Sequence, residues 1–201
     1  MMKKFILSVL VVSVVFSCGN EKQPVEVEVS DKQEISVKVE EVSKEPIAVE
    51  TKNCAASLDV YLNDPDLSGT NIRNKPKGDV IKKLIREDED SHFFITVTES
   101  KEGWFKIEAV EDMEGAVEMD YTSAWIHGSV LGIDTRNYGG EVVVMYKEPY
   151  EYSKEVGGLK EQSYGLSVLE ICGDWVKIKS NELEGWVNEE WLCGNPLTTC
   201  S

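Results

Sequence analysis

Between Gly19 and Ser57 the chain has no phenylalanine, tryptophan or tyrosine, and all five tryptophans lie beyond residue 100. A stretch with no rings to bury cannot offset the entropy of ordering it, so any core belongs to the C-terminal three quarters of the chain. Basic charge is also scarce: 21 Lys and Arg stand against 37 Asp and Glu, for a net charge of −16. With no basic run to displace counterions from phosphates, the composition excludes a nucleic-acid binder. An anionic lipid surface would repel it for the same reason. The plain meaning of such acidity is solubility and mutual repulsion. Histidine occurs only as His92 and His127, and there is no Gly-x-Ser-x-Gly, no Walker-type loop and no His-Glu-x-x-His. Those absences remove the common hydrolase, nucleotide and zinc-peptidase signatures and predict a chain that is not an enzyme and needs no cofactor. No Cys-x-x-Cys occurs, which argues against a structural zinc site, so no metal is expected.

What is present begins at the N-terminus. Lys3 and Lys4 precede an apolar stretch of 12 residues, Phe5 to Phe16, interrupted only by two serines. That is a signal-peptide pattern, and it is too short to cross a hydrocarbon core of about 30 Å as a helix. Val15-Phe16-Ser17-Cys18-Gly19 then resembles the lipobox of bacterial lipoproteins, with Phe16 where that pattern prefers a small residue. The resemblance implies a signal peptide over 1–17, cleavage before Cys18, and attachment of palmitate and further acyl chains to Cys18. More than one acyl chain makes anchoring stable, where a single chain binds only reversibly. Gly19 in place of Asp implies, by the same analogy, the outer membrane.

Residues 18–57 read as an acidic tether. Val25-Glu26-Val27-Glu28-Val29 and Ile35-Ser36-Val37-Lys38-Val39 alternate as strands would. No turn residues separate them and the charge is high, so a disordered segment is expected. Such a flexible chain would hold the folded part about 30–35 Å from the membrane.

Four cysteines remain: Cys54, Cys172, Cys193 and Cys200. In an exported protein they permit two disulfides, in any of three connectivities. Cys193 and Cys200 form the best local pair, because Gly194, Asn195 and Pro196 supply turn chemistry between them. Closing so short a loop stabilises by about 2–3 kcal/mol in the chain-entropy description. Cys54 with Cys172 then follows by elimination.

Beyond the tether the chain repeats itself. Gly103-Trp104-Phe105-Lys106-Ile107 is followed by Ala124-Trp125-Ile126-His127-Gly128-Ser129-Val130-Leu131. Asp174-Trp175-Val176-Lys177-Ile178 is followed by Gly185-Trp186-Val187-Asn188-Glu189-Glu190-Trp191-Leu192. The two tryptophans are 21 residues apart in the first copy and 11 in the second, and the extra ten fall in the acidic segment 111–121, which reads as a hairpin extension. Short strand-like runs lie upstream of each motif: 58–62, 78–84 and 93–98 in the first, then 141–146, 156–159 and 166–171 in the second. Gly, Pro and Asp punctuate them, and nothing beyond the signal peptide has a helical period. The class is therefore all-β, as small barrels.

Each copy resembles a bacterial SH3-like domain, the small barrel often joined to cell-wall proteins. The first copy carries the family's opening most fully, in Asn71-Ile72-Arg73 leading through Lys75-Pro76-Lys77-Gly78 into a strand. The second has Val144-Met145-Tyr146-Lys147-Glu148-Pro149 there instead. The resemblance covers about residues 58–193 and is similar to that of tandem lipoproteins of the Bacteroidota. It implies SH3-like barrels over 58–137 and 138–201, joined near Asp134–Gly140, and a non-catalytic binding module. The implied ligand is a peptidoglycan peptide or an envelope protein. A structural adaptor, or an inhibitor of a hydrolase acting through protein–protein contacts, is the alternative. Relatives that cut peptidoglycan carry their Cys and His on an additional domain, for which this chain has no room.

Asp64-Pro65-Asp66-Leu67-Ser68-Gly69 imitates the start of a calcium loop, but Lys75 stands where a bidentate Glu is needed. His127 lies where the second copy has Asn188, which predicts a surface turn. Trp104, Trp125, Trp175 and Trp186 recur at matching places and are assigned to the core, where each would contribute about 4–6 kcal/mol gross. Trp191, together with Tyr146, Tyr150 and Tyr152 around Pro149, is left as the candidate ligand surface.

Overall fold

A computed structural model describes residue 54 and residues 56–88, 90–181 and 183–200. The signal peptide, Cys18 and nearly all of the expected tether lie outside the described residues. The described residues belong to one compact unit.

The described chain is all-β, with thirteen strands and three single 3₁₀ turns. The strands are β1 Leu58–Leu62, β2 Thr70–Arg73, β3 Val80–Leu84, β4 Phe94–Lys101, β5 Trp104–Glu111, β6 Trp125–His127 and β7 Leu131–Thr135. They continue as β8 Val143–Tyr146, β9 Glu155–Leu159, β10 Leu166–Cys172, β11 Trp175–Ser180, β12 Leu183–Asn188 and β13 Leu192–Cys193. All pairings are antiparallel, and the main path runs β3-β2-β6-β5-β4-β1-β7-β10-β11-β12-β8-β9 with β13 added beside β7.

The tight turns follow from local chemistry. Lys101 pairs with Trp104 across a two-residue loop in which Glu102 and Gly103 both have positive φ, 52° and 78°. That is the type I′ requirement, whose twist matches that of the flanking strands. Cys172 pairs with Trp175 across Gly173-Asp174, with Gly173 at φ 57°. The segment after β5 folds back as expected: Glu111 bridges Ala116, and Asp112 and Gly115 exchange backbone hydrogen bonds.

The pairings themselves repeat. β1 pairs with β4 and β7, β2 with β3 and β6, β4 with β5, and β5 with β6. Adding six to every label gives the remaining pairings: β7 with β10 and β13, β8 with β9 and β12, β10 with β11, and β11 with β12. β7 is thus the last strand of one set and the first of the next. Gly132 faces Tyr61 on one side and Ser167 on the other, and Thr135 and Asp134 take Leu192 and Cys193. Every residue of β7 is buried.

One apolar cluster runs through both sets, from Val60, Ile72, Ile95 and Phe105 to Ile133, Val168, Ile178 and Val187. The four repeat tryptophans are not part of it. Trp104 and Trp186 are buried, as expected of core residues, whereas Trp125 and Trp175 are half-buried, which corrects the assignment of those two. In each motif the residue after the tryptophan enters the core instead: Phe105, Ile126, Val176 and Val187 are all essentially inaccessible. Strand side chains alternate between faces, so Trp and its successor cannot both point into the same layer.

Two disulfides close the unit, Cys54–Cys172 and Cys193–Cys200. The first ties the chain ahead of β1 to the end of β10, across 118 residues. A polar knot joins the sets from inside: the Tyr61 hydroxyl donates to Asp134 Oδ1 at 2.5 Å, and the Gly165 amide donates to both at 2.9 and 2.8 Å. Burial, followed by the hydrogen bond to Asp134, pushes the Tyr61 phenol well above its ordinary range.

Candidate binding site

The tyrosines singled out from sequence line none of the clefts described below. Tyr146 ends β8 and stands edge-on to Trp175, with ring centroids 5.6 Å apart. Tyr150 and Tyr152 lie in the loop between β8 and β9, where Glu148 N–H donates to Ser153 Oγ and Ser153 N–H to the Tyr150 carbonyl. Tyr152 is 89% exposed. Trp191 is half-buried against the core at the end of the 3₁₀ turn Glu189–Trp191, and its carbonyl accepts from Arg136 N–H at 2.8 Å.

His127 is placed as its repeat position predicts. It caps the 3₁₀ turn Gly128–Val130, its Nδ1 accepting from Ser129 N–H at 3.2 Å. Asn188 caps Glu189–Trp191 in the same manner, through Oδ1 and Glu190 N–H at 3.0 Å. A ring nitrogen and an amide oxygen thus do one job, satisfying a free N–H at the start of a helical turn. His127 also meets Trp104 edge-on at 5.0 Å. In the acidic opening loop Asp64 Oδ1 accepts from Asp66 N–H and Asp66 Oδ1 from Ser68 N–H, while Asp64 Oδ2 takes the Thr70 hydroxyl. These carboxylates shape the turn, and the Ser68 bonds hold the Asp66 carboxyl below the usual range.

The residues that do converge come from the junction of the two strand sets. A cleft of about 600 Å³ is lined by Asp59 of β1, Ile133 of β7, Arg136 just beyond it and Asp174 from the β10–β11 turn. The 3₁₀ turn after β12 contributes Glu189 and Glu190, and the Cys193–Cys200 loop closes one end. Smaller clefts of about 380 and 310 Å³ lie at Tyr138, Tyr164 and Leu197, and at Asp64, Trp104 and His127.

Local bonds hold the central cleft's acids in place. Glu189 N–H donates to the Asp174 carbonyl at 2.8 Å, and Asp59 Oδ1 accepts the Thr96 hydroxyl at 2.8 Å. Burial, then the negative charges of Asp174 and Asp59, push the Glu189 carboxyl above its usual range. Gly194 packs directly on the backbone of β1, where a Cβ would come within 2.0 Å of the Asp59 carbonyl oxygen. A cleft lined by four carboxylates and one guanidinium offers partners for both an ammonium and a carboxylate. Among the described residues no group of three His, Cys, Asp or Glu is arranged to hold a metal ion.

Sequence reading missed this site. Asp59, Arg136, Asp174 and Glu189 belong to separate segments, and the Glu189-Glu190 pair beside the Trp186 motif was its only local trace.

No family model and no curated protein matches the chain. Among solved structures it is similar to NlpC2 from Trichomonas vaginalis, with 12% identity over 72% of this chain and 50% of that one, at a TM-score of 0.29. The chain therefore spans about half the length of that structure, and a likeness this faint carries no argument about fold or function.

Proposed function

We propose that the protein is a non-catalytic binding module of the cell envelope, anchored by lipid on Cys18, whose two strand sets are SH3-like barrels sharing β7. Its ligand is a short zwitterionic peptide of the peptidoglycan stem type, seated in the central cleft. One observation carries this reading: Asp59, Asp174, Glu189 and Glu190 line the same cleft as Arg136, the charge pattern that a free amine and a free carboxylate call for. The repeated strand wiring supports the pair of barrels, and two disulfides suit an exported protein. The clustered acids also suit the second reading, an adaptor or hydrolase inhibitor that presents them to a basic protein surface.

Cosedimentation of the full chain with purified sacculi at low and high salt separates the two. Saturable binding that survives high salt, and that Arg136→Ala weakens about tenfold, supports the peptide reading. Failure to bind at either salt excludes it and leaves the protein-contact reading.

A further inference from the structure

The β2–β3 hairpin carries a surface that the central cleft does not use. From Arg73 to Arg86 there are six basic residues and one acid, Asp79, in a chain of net charge −16. They are spaced too widely to read as a run, and folding gathers them at one end of the sheet. Lys75 and Lys77 sit in the hairpin turn, Lys82 and Lys83 on β3, Arg73 at the end of β2 beside the turn, and Arg86 just beyond β3. Arg73 donates to the Gly78 carbonyl at 2.6 Å and Arg86 to that of Asp64. Among the described residues the ion pairs within 4.0 Å are those of Lys177 with Glu170 and Glu184, so the four hairpin lysines have no carboxylate at that distance. Beside them Val80, Ile81 and Ile85 are 48%, 44% and 56% exposed.

β3 is also an open edge. It pairs with β2 and ends the strand path, so one side of its backbone presents N–H and C=O groups to solvent. Lysine on an edge strand is commonly a guard against unwanted pairing. Guarding does not account for three large apolar side chains exposed among those lysines. Nor is that composition needed at the matching edge: β9 ends the path at the other end as Glu155-Val156-Gly157-Gly158-Leu159, with no lysine.

We infer that β3 is a docking edge for an extended acidic peptide in which glutamate or aspartate alternates with apolar residues. The free backbone side supplies the ladder, Val80, Ile81 and Ile85 take the apolar side chains, and the lysines take the acids. A peptide fits better than an anionic bilayer, which makes no use of a backbone edge and would be repelled by the acidic remainder of the protein.

The test uses the full chain in non-ionic detergent and a fluorescein-labelled peptide of alternating valine and glutamate. Anisotropy should show saturable binding, and hydrogen exchange should slow at residues 80–84 when the peptide is added. Lys82→Glu with Lys83→Glu should weaken binding about tenfold, and Lys75→Glu with Lys77→Glu, which leaves the strand intact, by severalfold. Four results would overturn the inference: no saturable binding, equal binding of a scrambled peptide, protection outside β3, or capture by phosphatidylglycerol vesicles in place of the peptide. Should the β3 variant fail to fold, the turn variant and the exchange pattern of the unmodified chain still decide. The central cleft is not involved, so loss of wall binding leaves this result untouched.

Discussion

β3 and β9 hold the same place at opposite ends of one strand path, yet one reads Val-Ile-Lys-Lys-Leu and the other Glu-Val-Gly-Gly-Leu. The contrast recurs across the two strand sets. Where a position faces the core or caps a turn, chemistry is kept: Phe105 and Val176 are both buried, and His127 and Asn188 both cap. Where it faces outward, chemistry diverges. Arg73 pairs with Trp125 in the first set, while Tyr146 pairs with Trp186 in the second. Packing and backbone satisfaction fix the first kind of position and leave the second free to vary.

The comparison can be broken at four depths. The largest effect is expected from the disulfide that spans the sets. Replacing Cys54 and Cys172 by alanine should cost about 5 kcal/mol in the loop-entropy description, against about 2.5 kcal/mol for Cys193 and Cys200. Denaturant unfolding of the two variants reads the ratio, and equal losses would mean that the long loop is not what matters.

Ile133→Ala comes next, at about 3 kcal/mol, because Ile133 is fully buried on the strand both sets use. Calorimetry should still show one transition. Two resolved transitions would mean that β7 does not couple the sets.

Tyr61→Phe should cost about 1–3 kcal/mol by depriving buried Asp134 of a donor. The raised phenol pKa makes the folded state favour the neutral ring. Stability from this group is therefore complete below the unfolded tyrosine value of about 10 and is lost as pH rises above it. Stability measured from pH 8 to 11 should fall less steeply in the variant than in the parent.

The smallest effect sharpens the likeness of the two caps. Exchanging them, as His127→Asn and Asn188→His, should change stability by less than about 0.5 kcal/mol each, while alanine at either should cost about 1 kcal/mol. Thermal unfolding distinguishes the two cases.

Much of the fold was legible because its signals are local. The stretch 58–62 is strand-like and forms β1, Pro76-Lys77-Gly78 marks the β2–β3 turn, and the turn residues between Cys193 and Cys200 let that pair form. Trp125 and Trp175 departed from expectation because regular recurrence marks a place on a strand, while the neighbours Ile126 and Val176 fill the core. Trp191, a candidate for the ligand surface, is half-buried and also leans on the core. The central cleft was invisible for a different reason. Asp59 and Glu189 are brought together only through β7 and β13, and no window of sequence contains both. The hairpin's charge was diluted by spacing, and only antiparallel pairing concentrates it.

Central to the account is the use of the junction cleft for a peptide with free amine and free carboxylate. Titration calorimetry of the full chain with a soluble peptidoglycan stem peptide, followed by hydrogen exchange, tests it most directly. The account predicts saturable binding with slowed exchange around Arg136 and residues 188–190, abolished by amidating the peptide carboxylate and acetylating its amine. Binding that ignores both modifications, or protection confined to the loop bearing Tyr150 and Tyr152, would contradict it.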